Sequence, residues 1–439
     1  MKQNSTNIVV FQILKYSLIA ILMLVQHYPA SAQKNRRNYV YQELIARAGL
    51  YHLQKNYAKA IPIYKQAFTL QIPDGLTCYK AAGAFALAGD MQQAVRYLQI
   101  AIDSAWTEAD WLAGDSYFDK IASTSPDLWA QLKLNAYAAE ARYAKTLSAP
   151  ELRKTINLMM LTDQRLRYKR AQLTNKTEID EVNGEIYQAD KDNLEKAKII
   201  LSKHGWPKLS AVGKDGANNF WLIVQHADND VLFQQLALKE MEKLKSTREI
   251  NLENYAFLFD RVQCNLNYKQ TYGTQVLWTS NGEASGFRPI LREDLVDVRR
   301  EKLGLLPLRI YALGYGFNYT NVQKYVAKSR DQNDVARAAK LTDSIALYYQ
   351  KKQFAKAYAA ADQAAMIAGG MNDDQNLQAA VLFAKMAADD TDPKYKGIAL
   401  DFLNLLAMRR TLTKHSLATD AFDILEGESR WKEIEKLAI

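Results

Sequence analysis

Apolar positions recur every three to four residues along most of this chain, the spacing that lines one face of an α-helix. From residue 43 to 105 the pattern also repeats at long range. Tyr51, Tyr57, Ala60, Tyr64 and Ala67 align with Phe85, Met91, Ala94, Leu98 and Ala101, each pair 34 residues apart, and Lys55-Asn56 and Gly89-Asp90 fall in the corresponding turns. Small residues at fixed places in successive helical patterns let antiparallel helices approach closely, while aromatic residues fill the groove towards the next pair. Trp106, Trp111, Tyr117, Phe118 and Trp129 are expected in helices that cap this array.

The centre of the chain is helical but broken. Leu152, Ile156, Met159/Met160, Asp163 and Leu166 share a 3.6-residue period that Pro150 opens, and residues 174–179 form a polar break before a second helical run up to Leu201. Gly205-Trp206-Pro207 ends that run, since glycine accepts the left-handed cap and proline cannot continue the helix. Residues 212–216 read as a loop, 220–244 as one or two helices, and 251–265 as a helix that Asn251 caps. From 266 to 290 the helical period is lost. Tyr272 to Trp278 alternates and meets Asn281-Gly282, which predicts a β-hairpin over roughly 275–288. Residues 291–303 return to helix. Beyond 335 further helices are expected at 375–388, 394–409 and 417–437, and Tyr348, Phe354, Ala357, Ala361 and Ala364 follow the N-terminal repeat template loosely.

The period of 34 resembles that of tetratricopeptide repeats over about 43–105, with Ala48 where that family usually has glycine, and more weakly over 340–370. The expected fold is therefore all-α: helical repeats flanking a central helical domain with a small β-hairpin. The boundaries are a leader over 1–32, a tetratricopeptide-like module over 33–147, the central domain over 148–312 and a C-terminal repeat-like region over 313–439.

The leader adds a compartment. Lys2 and Lys15 precede the apolar run Leu18–Val25, and Ala30-Ser31-Ala32 supplies small residues before Gln33, the pattern of a secretory signal. The run is short of the roughly 20 residues that span a bilayer, so cleavage before Gln33, export to the periplasm or outside, and no transmembrane segment thereafter are expected. Retention of the leader as an anchor is the alternative. Cys78 and Cys264 sit in separate helical patterns and read as buried free thiols more than as a disulfide. The 439 residues carry a net charge of +9, but basic and acidic side chains interleave without a long run of one sign. A solvated mixed surface is expected, not a nucleic-acid partner.

Candidate chemistry concentrates in the central domain. His226 is the candidate acid–base residue, because imidazole titrates near neutrality and a carboxylate can tune it. Asp230, four residues on, would share its helical face. Asp260 is the second candidate catalytic residue. Asp163, Gln225, Asp228, Arg261, Gln275, Arg299 and Arg300 are candidate ligand-binding residues, the arginines suited to gripping a phosphate or carboxylate. In the competing structural reading, Asp260-Arg261 and Asp297-Arg300 are buried ion pairs that fix helices. The scattered histidines give no zinc signature, and no phosphate-binding loop, dinucleotide fingerprint or nucleophile elbow is present, so no cofactor or metal is expected.

Residues from about 150 to 310 also resemble an uncharacterised bacterial domain family of unknown function. The resemblance rests on Asp163-Gln164-x-x-Arg167, Gly205-Trp206-Pro207, Trp221 with Gln225-His226-Ala227-Asp228, Asp260-Arg261, Tyr272-Gly273-Thr274-Gln275 and Asp297-x-Arg299-Arg300. It implies no activity, only that these residues share a site. Three functions compete. The first is a scaffold whose repeat groove holds a protein or peptide. The second is a hydrolase or transferase acting on a small anionic substrate around His226, Arg261 and Arg300. The third is a passive envelope component.

Overall fold

The structure, a computed structural model, describes residues 39–104 and 107–439. The expected leader and Trp106 lie outside the described residues. Helix α1 (Tyr39–Leu53) forms a hairpin with α2 (Tyr57–Leu70), and α3 (Gly75–Leu87) with α4 (Met91–Asp103). Asn56, Asp74 and Asp90 each cap a helix by accepting from a backbone N–H three residues on. Ala60, Ala67, Ala94 and Ala101 are completely buried, so the small residues of the 34-residue pattern stand where the helices meet. Helices α5 (Ala109–Ala113), α6 (Asp119–Thr124) and α7 (Pro126–Ala144) close the array, with Phe118 against Trp129 at 5.9 Å.

The central region contains α8 (Pro150–Gln172), α9 (Lys176–His204), α10 (Leu209–His226), α11 (Val231–Leu244), α12 (Leu252–Asn265), strands β1 (Val276–Trp278) and β2 (Ala284–Phe287), α13 (Val296–Lys302) and α14 (Leu308–Leu313). The strands are antiparallel, with Val276 opposite Phe287 and an irregularity between Leu277 and Trp278. Trp221, Phe220, Trp206, Met159, Leu258 and Val262 lie in the core that α8 to α12 surround. The fold is all-α with one small hairpin.

Three expectations are corrected in detail. Residues 212–216 are no loop: they belong to α10, which is kinked where Gly213 takes φ 76°. A Cβ at Gly213 would lie 2.6 Å from the Tyr143 hydroxyl, so glycine also permits that close approach. Of the one or two helices expected over 220–244, two form, split at 227–230. The helix expected from 291 begins only at Val296, behind a left-handed Arg292 (φ 43°) and a 3₁₀ turn at Glu293–Leu295. The run 417–437 divides into a 3₁₀ segment, Asp420–Leu425, and a separate terminal helix.

The C-terminal helices α15 (Lys324–Gln350), α16 (Phe354–Ala365), α17 (Asp373–Asp389), α18 (Pro393–Arg409), α19 (Lys414–Leu417) and α20 (Ser429–Leu437) share a core of alanines with Phe383, Phe402 and Trp431. Polar contacts seat both flanks on the centre. Lys214 N donates to the Tyr143 hydroxyl at 3.2 Å. On the other side, Arg409 donates to Leu266 O and lies over the Tyr268 ring, while the nearly buried Lys269 reaches Asp331 and Asp334 at 2.7 and 2.5 Å. Cys78 and Cys264 are both buried and free. Among the described residues no helix is long and apolar enough to cross a membrane.

Candidate functional site

Three helices carry the first network. Proline at the start of α8, the Asn175 cap on α9 and the left-handed Gly205 after it fix where these helices begin and end. Asp163, Gln164 and Arg167 interrupt the buried stripe of α8. Arg167 Nε donates to Asp163 Oδ1 at 2.9 Å, and Arg167 Nη2 donates to Asp190 Oδ1, on α9, at 2.6 Å. Gln164 Nε2 donates to Asp163 Oδ2 at 2.6 Å. His226, the last residue of α10, brings Nδ1 to 3.4 Å from Asp163 Oδ2 and 3.3 Å from Arg167 Nη2. Its side chain is 10% exposed and that of Asp190 27%, whereas Asp163 and Arg167 are buried. Nε2 of His226 makes no hydrogen bond to any described residue.

The two carboxyls are driven apart in acidity. Burial alone would raise Asp163, but His226 and Arg167 outweigh it and hold that carboxyl well below the usual range. Burial pushes Asp190 up to about 6, against the pull of Arg167 and His226, with Asp163 adding to the rise. A carboxylate and a carboxylic acid side by side can divide base and acid roles between them. Donor atoms of Asp163, Asp190 and His226 lie within 4.8 Å of one another, a spacing that could admit a metal ion. The Arg167 guanidinium, however, already bridges both carboxyl groups and supplies positive charge between them. The donor set suits proton transfer better than metal binding.

Asp230 is not His226's neighbour on a helical face. The helix stops at His226, and Asp230 instead caps α11 through Phe233 N (2.9 Å) and pairs with Lys198 at 3.0 Å. Asp228 belongs to a second network: both its oxygens accept from Arg261, Nε lying at 2.7 Å, and Asn265 and Gln234 complete its bonds. Gln225 lies buried beside it. With Oε1 facing the donors, its amide accepts from Trp221 Nε1 and Leu258 N at 3.1 and 3.0 Å.

The third network builds the 270–275 loop. Asp260, fully buried, accepts from Thr271 N (2.7 Å), Tyr272 N (3.0 and 3.1 Å), Thr274 N (3.0 Å) and Thr274 Oγ1 (3.0 Å). Burial still leaves its carboxyl above the ordinary value, although these four donors pull it down. Arg300 donates to Leu306 O at 2.6 Å and Tyr272 O at 2.7 Å and stacks 4.9 Å from the Tyr311 ring. Arg299 donates to the carbonyls of Thr271, Leu291 and Arg292. Gln275 Nε2 bonds Phe257 O at 3.3 Å, and its backbone N–H bonds Gln270 Oε1 at 2.8 Å.

The ion pairs considered from sequence adjacency are therefore absent. Asp260 holds amides, Arg261 holds Asp228, Arg300 holds carbonyls, and Asp297 caps Leu308 N at 2.7 Å. Asp163 and His226 do meet, and by their hydrogen bonds the candidate residues form three networks, with Arg167 of the first acting on Arg261 of the second. Asp190 is the residue that sequence reasoning missed. Its signal was available: it stands on the same stripe of α9 as the buried Val182, Ile186, Asn193 and Ala197, where an apolar residue belongs.

No curated protein and no solved structure matches the chain. Residues 150–319, less than half of the chain but enough to contain all three networks, match the model of a family of unknown function (DUF6624), which makes the centre of this chain an uncharacterised domain.

Proposed function

We propose that this chain is an exported helical-repeat protein that holds a protein or peptide partner in the cell envelope, its N-terminal hairpins acting as tetratricopeptide repeats. The observation that carries this reading is the double hairpin of α1 to α4, in which residues 34 apart bury the same alanines at the same contacts. Stacked hairpins of this kind make extended surfaces suited to polypeptide ligands. The polar residues that could have argued for a large anion site support it too: Arg261, Arg299 and Arg300 are all engaged in holding the fold. The test is cross-linking in the native host, comparing the full chain with a Tyr39→Ala/Ile72→Glu variant, since both side chains are exposed. Loss of one defined cross-linked partner in a variant that still folds supports the reading; an identical cross-linking pattern removes it.

One observation favours a second reading, an acid–base enzyme acting on a small anionic substrate. His226 Nε2 has no described partner, Nδ1 faces Asp163, and Asp190 stands beside them with its carboxyl raised. Asp163 and Arg167 would orient the imidazole, Nε2 would take a proton, and Asp190 would supply one. His226→Ala and Asp190→Asn should then leave folding intact and abolish the biological activity. Normal activity in both folded variants eliminates the enzyme.

A further inference from the structure

A different cluster lies where the N-terminal array meets the central domain. Arg153, on α8, is 3% exposed and forms the hub. Its Nη1 donates to Glu140 Oε1 at 2.9 Å, its Nε to Asp215 Oδ2 at 2.8 Å, and its Nη2 to Asp215 Oδ2 at 2.5 Å and Thr107 O at 2.7 Å. Asn157 Nδ2 adds a bond to Asp215 Oδ2 at 3.0 Å. Asn219 Nδ2 bridges Asn157 Oδ1 (3.1 Å) and Glu108 Oε1 (3.3 Å). Glu140 Oε2 accepts from Ala109 N at 3.0 Å. Three carboxyl groups from three segments thus gather around one guanidinium. Asp215 is nine-tenths buried, yet its Oδ1 has no hydrogen-bond partner.

A buried carboxylate oxygen without a donor, beside surplus negative charge, calls for one more proton. We propose that Glu108 is protonated and donates to Asp215 Oδ1, and that this proton latches the N-terminal helical array onto the central domain. The charged and titratable groups facing Glu108 are Asp215 from α10, Arg153 from α8, Glu140 from α7 and Tyr79 from α3, the last tied to Asp115 at 2.5 Å. Burial pushes Glu108 up to about 7; Asp215 and Glu140 add to this, while Asn219 and Arg153 oppose it. The sign follows. The folded state holds this proton more tightly than the unfolded chain, so the latch is closed below the unfolded value of 4.5 and stability falls as pH rises from there through about 7. Above that, an ionised Glu108 faces Asp215 across the junction and loosens it.

The experiment uses the full chain and Glu108→Gln, which keeps an N–H donor and cannot ionise. At pH 8 the amides of Ala109, beside the junction, and of Lys214, which bonds across it to the Tyr143 hydroxyl, should exchange with solvent faster in the wild type than in E108Q. At pH 5 the two proteins should match. Unfolding between pH 5 and 7 should release about one proton fewer from E108Q than from the wild type. Should E108Q fail to fold, carbon-detected NMR of the wild type decides by locating the Glu108 titration. A midpoint near 7 upholds the latch, and one in the ordinary glutamate range overturns it. Equal exchange in both proteins at both pH values also overturns it. So does a rise in melting temperature with added calcium at pH 8 that disappears in E108Q, which would put a cation in the proton's place.

Discussion

Replacing Asp260 by alanine tests how the central domain is held together. The carboxylate takes four donors, three of them backbone amides of the 271–274 segment, and is fully buried. Each hydrogen bond to a charged group contributes about 1.5–3 kcal/mol, so the four together amount to roughly 6–12 kcal/mol. Removing the buried charge recovers several kcal/mol of desolvation, and a loosened loop can hydrate its own amides. The expected net loss is about 3–5 kcal/mol. Asp260→Asn should cost less, because its carbonyl can still serve Thr271 and Tyr272, while its NH₂ meets the Thr274 donors. Guanidinium unfolding followed by tryptophan fluorescence gives the free energy, and amide exchange at Thr271, Tyr272 and Thr274 shows whether the loss is local. An Asp260→Ala protein destabilised by less than about 1 kcal/mol, with those amides still slow to exchange, would refute the account of the loop as an anion-organised structure.

Other outcomes follow from contacts described above. Ala60→Leu or Ala94→Leu should overpack a helix contact that is completely buried and cost about 1–3 kcal/mol; unchanged melting in both would remove the close-packing argument. Arg167→Gln leaves Asp163 and Asp190 facing each other without their shared cation and should destabilise by about 3–5 kcal/mol. That loss should be larger at pH 8 than at pH 5, because a protonated Asp190 relieves the repulsion; a pH-independent loss would contradict it. His52 packs against Tyr57 and Tyr117, and burial lowers it from 6.5 to about 4, with Lys80 adding to the fall. The unfolded chain therefore binds the extra proton, and stability is lost as pH falls from about 6.5 through 4. His52→Phe should flatten that acid limb, and melting curves with an unaltered limb would show that another group controls it.

The helices were legible because each must bury one stripe, and the stripe is written locally in the sequence. The same stripes also held the clue to the site. Asp163 and Arg167 stand four apart where α8 should be apolar, and Asp190 does the same on α9. What periodicity cannot express is that these two intrusions face one another, since this depends on how α8 and α9 are turned about their own axes. His226 shows the opposite failure. Pairing it with Asp230 assumed that the helix continued, whereas it ends at the histidine and Asp230 caps the next one. The structural reading paired Asp260 with Arg261 because an adjacent arginine is an obvious partner on paper. Backbone amides 11 to 14 residues away leave no mark in composition.

The seating of Lys269 has a consequence for modularity. This nearly buried ammonium lies inside the segment that matches the family, yet both carboxylates neutralising it, Asp331 and Asp334, lie beyond residue 319. Arg153 at the other end depends in part on Glu140 and Thr107, which precede residue 150. A segment excised at 150–319 would carry two cations built for interiors with much of their counter-charge cut away. It would have to expose them, shift them or unfold around them. The unit of inheritance, if residues 150–319 travel between proteins as a block, is thus smaller than the unit of folding. Each host chain must supply its own acids at the two seams, or a different residue must stand at positions 153 and 269.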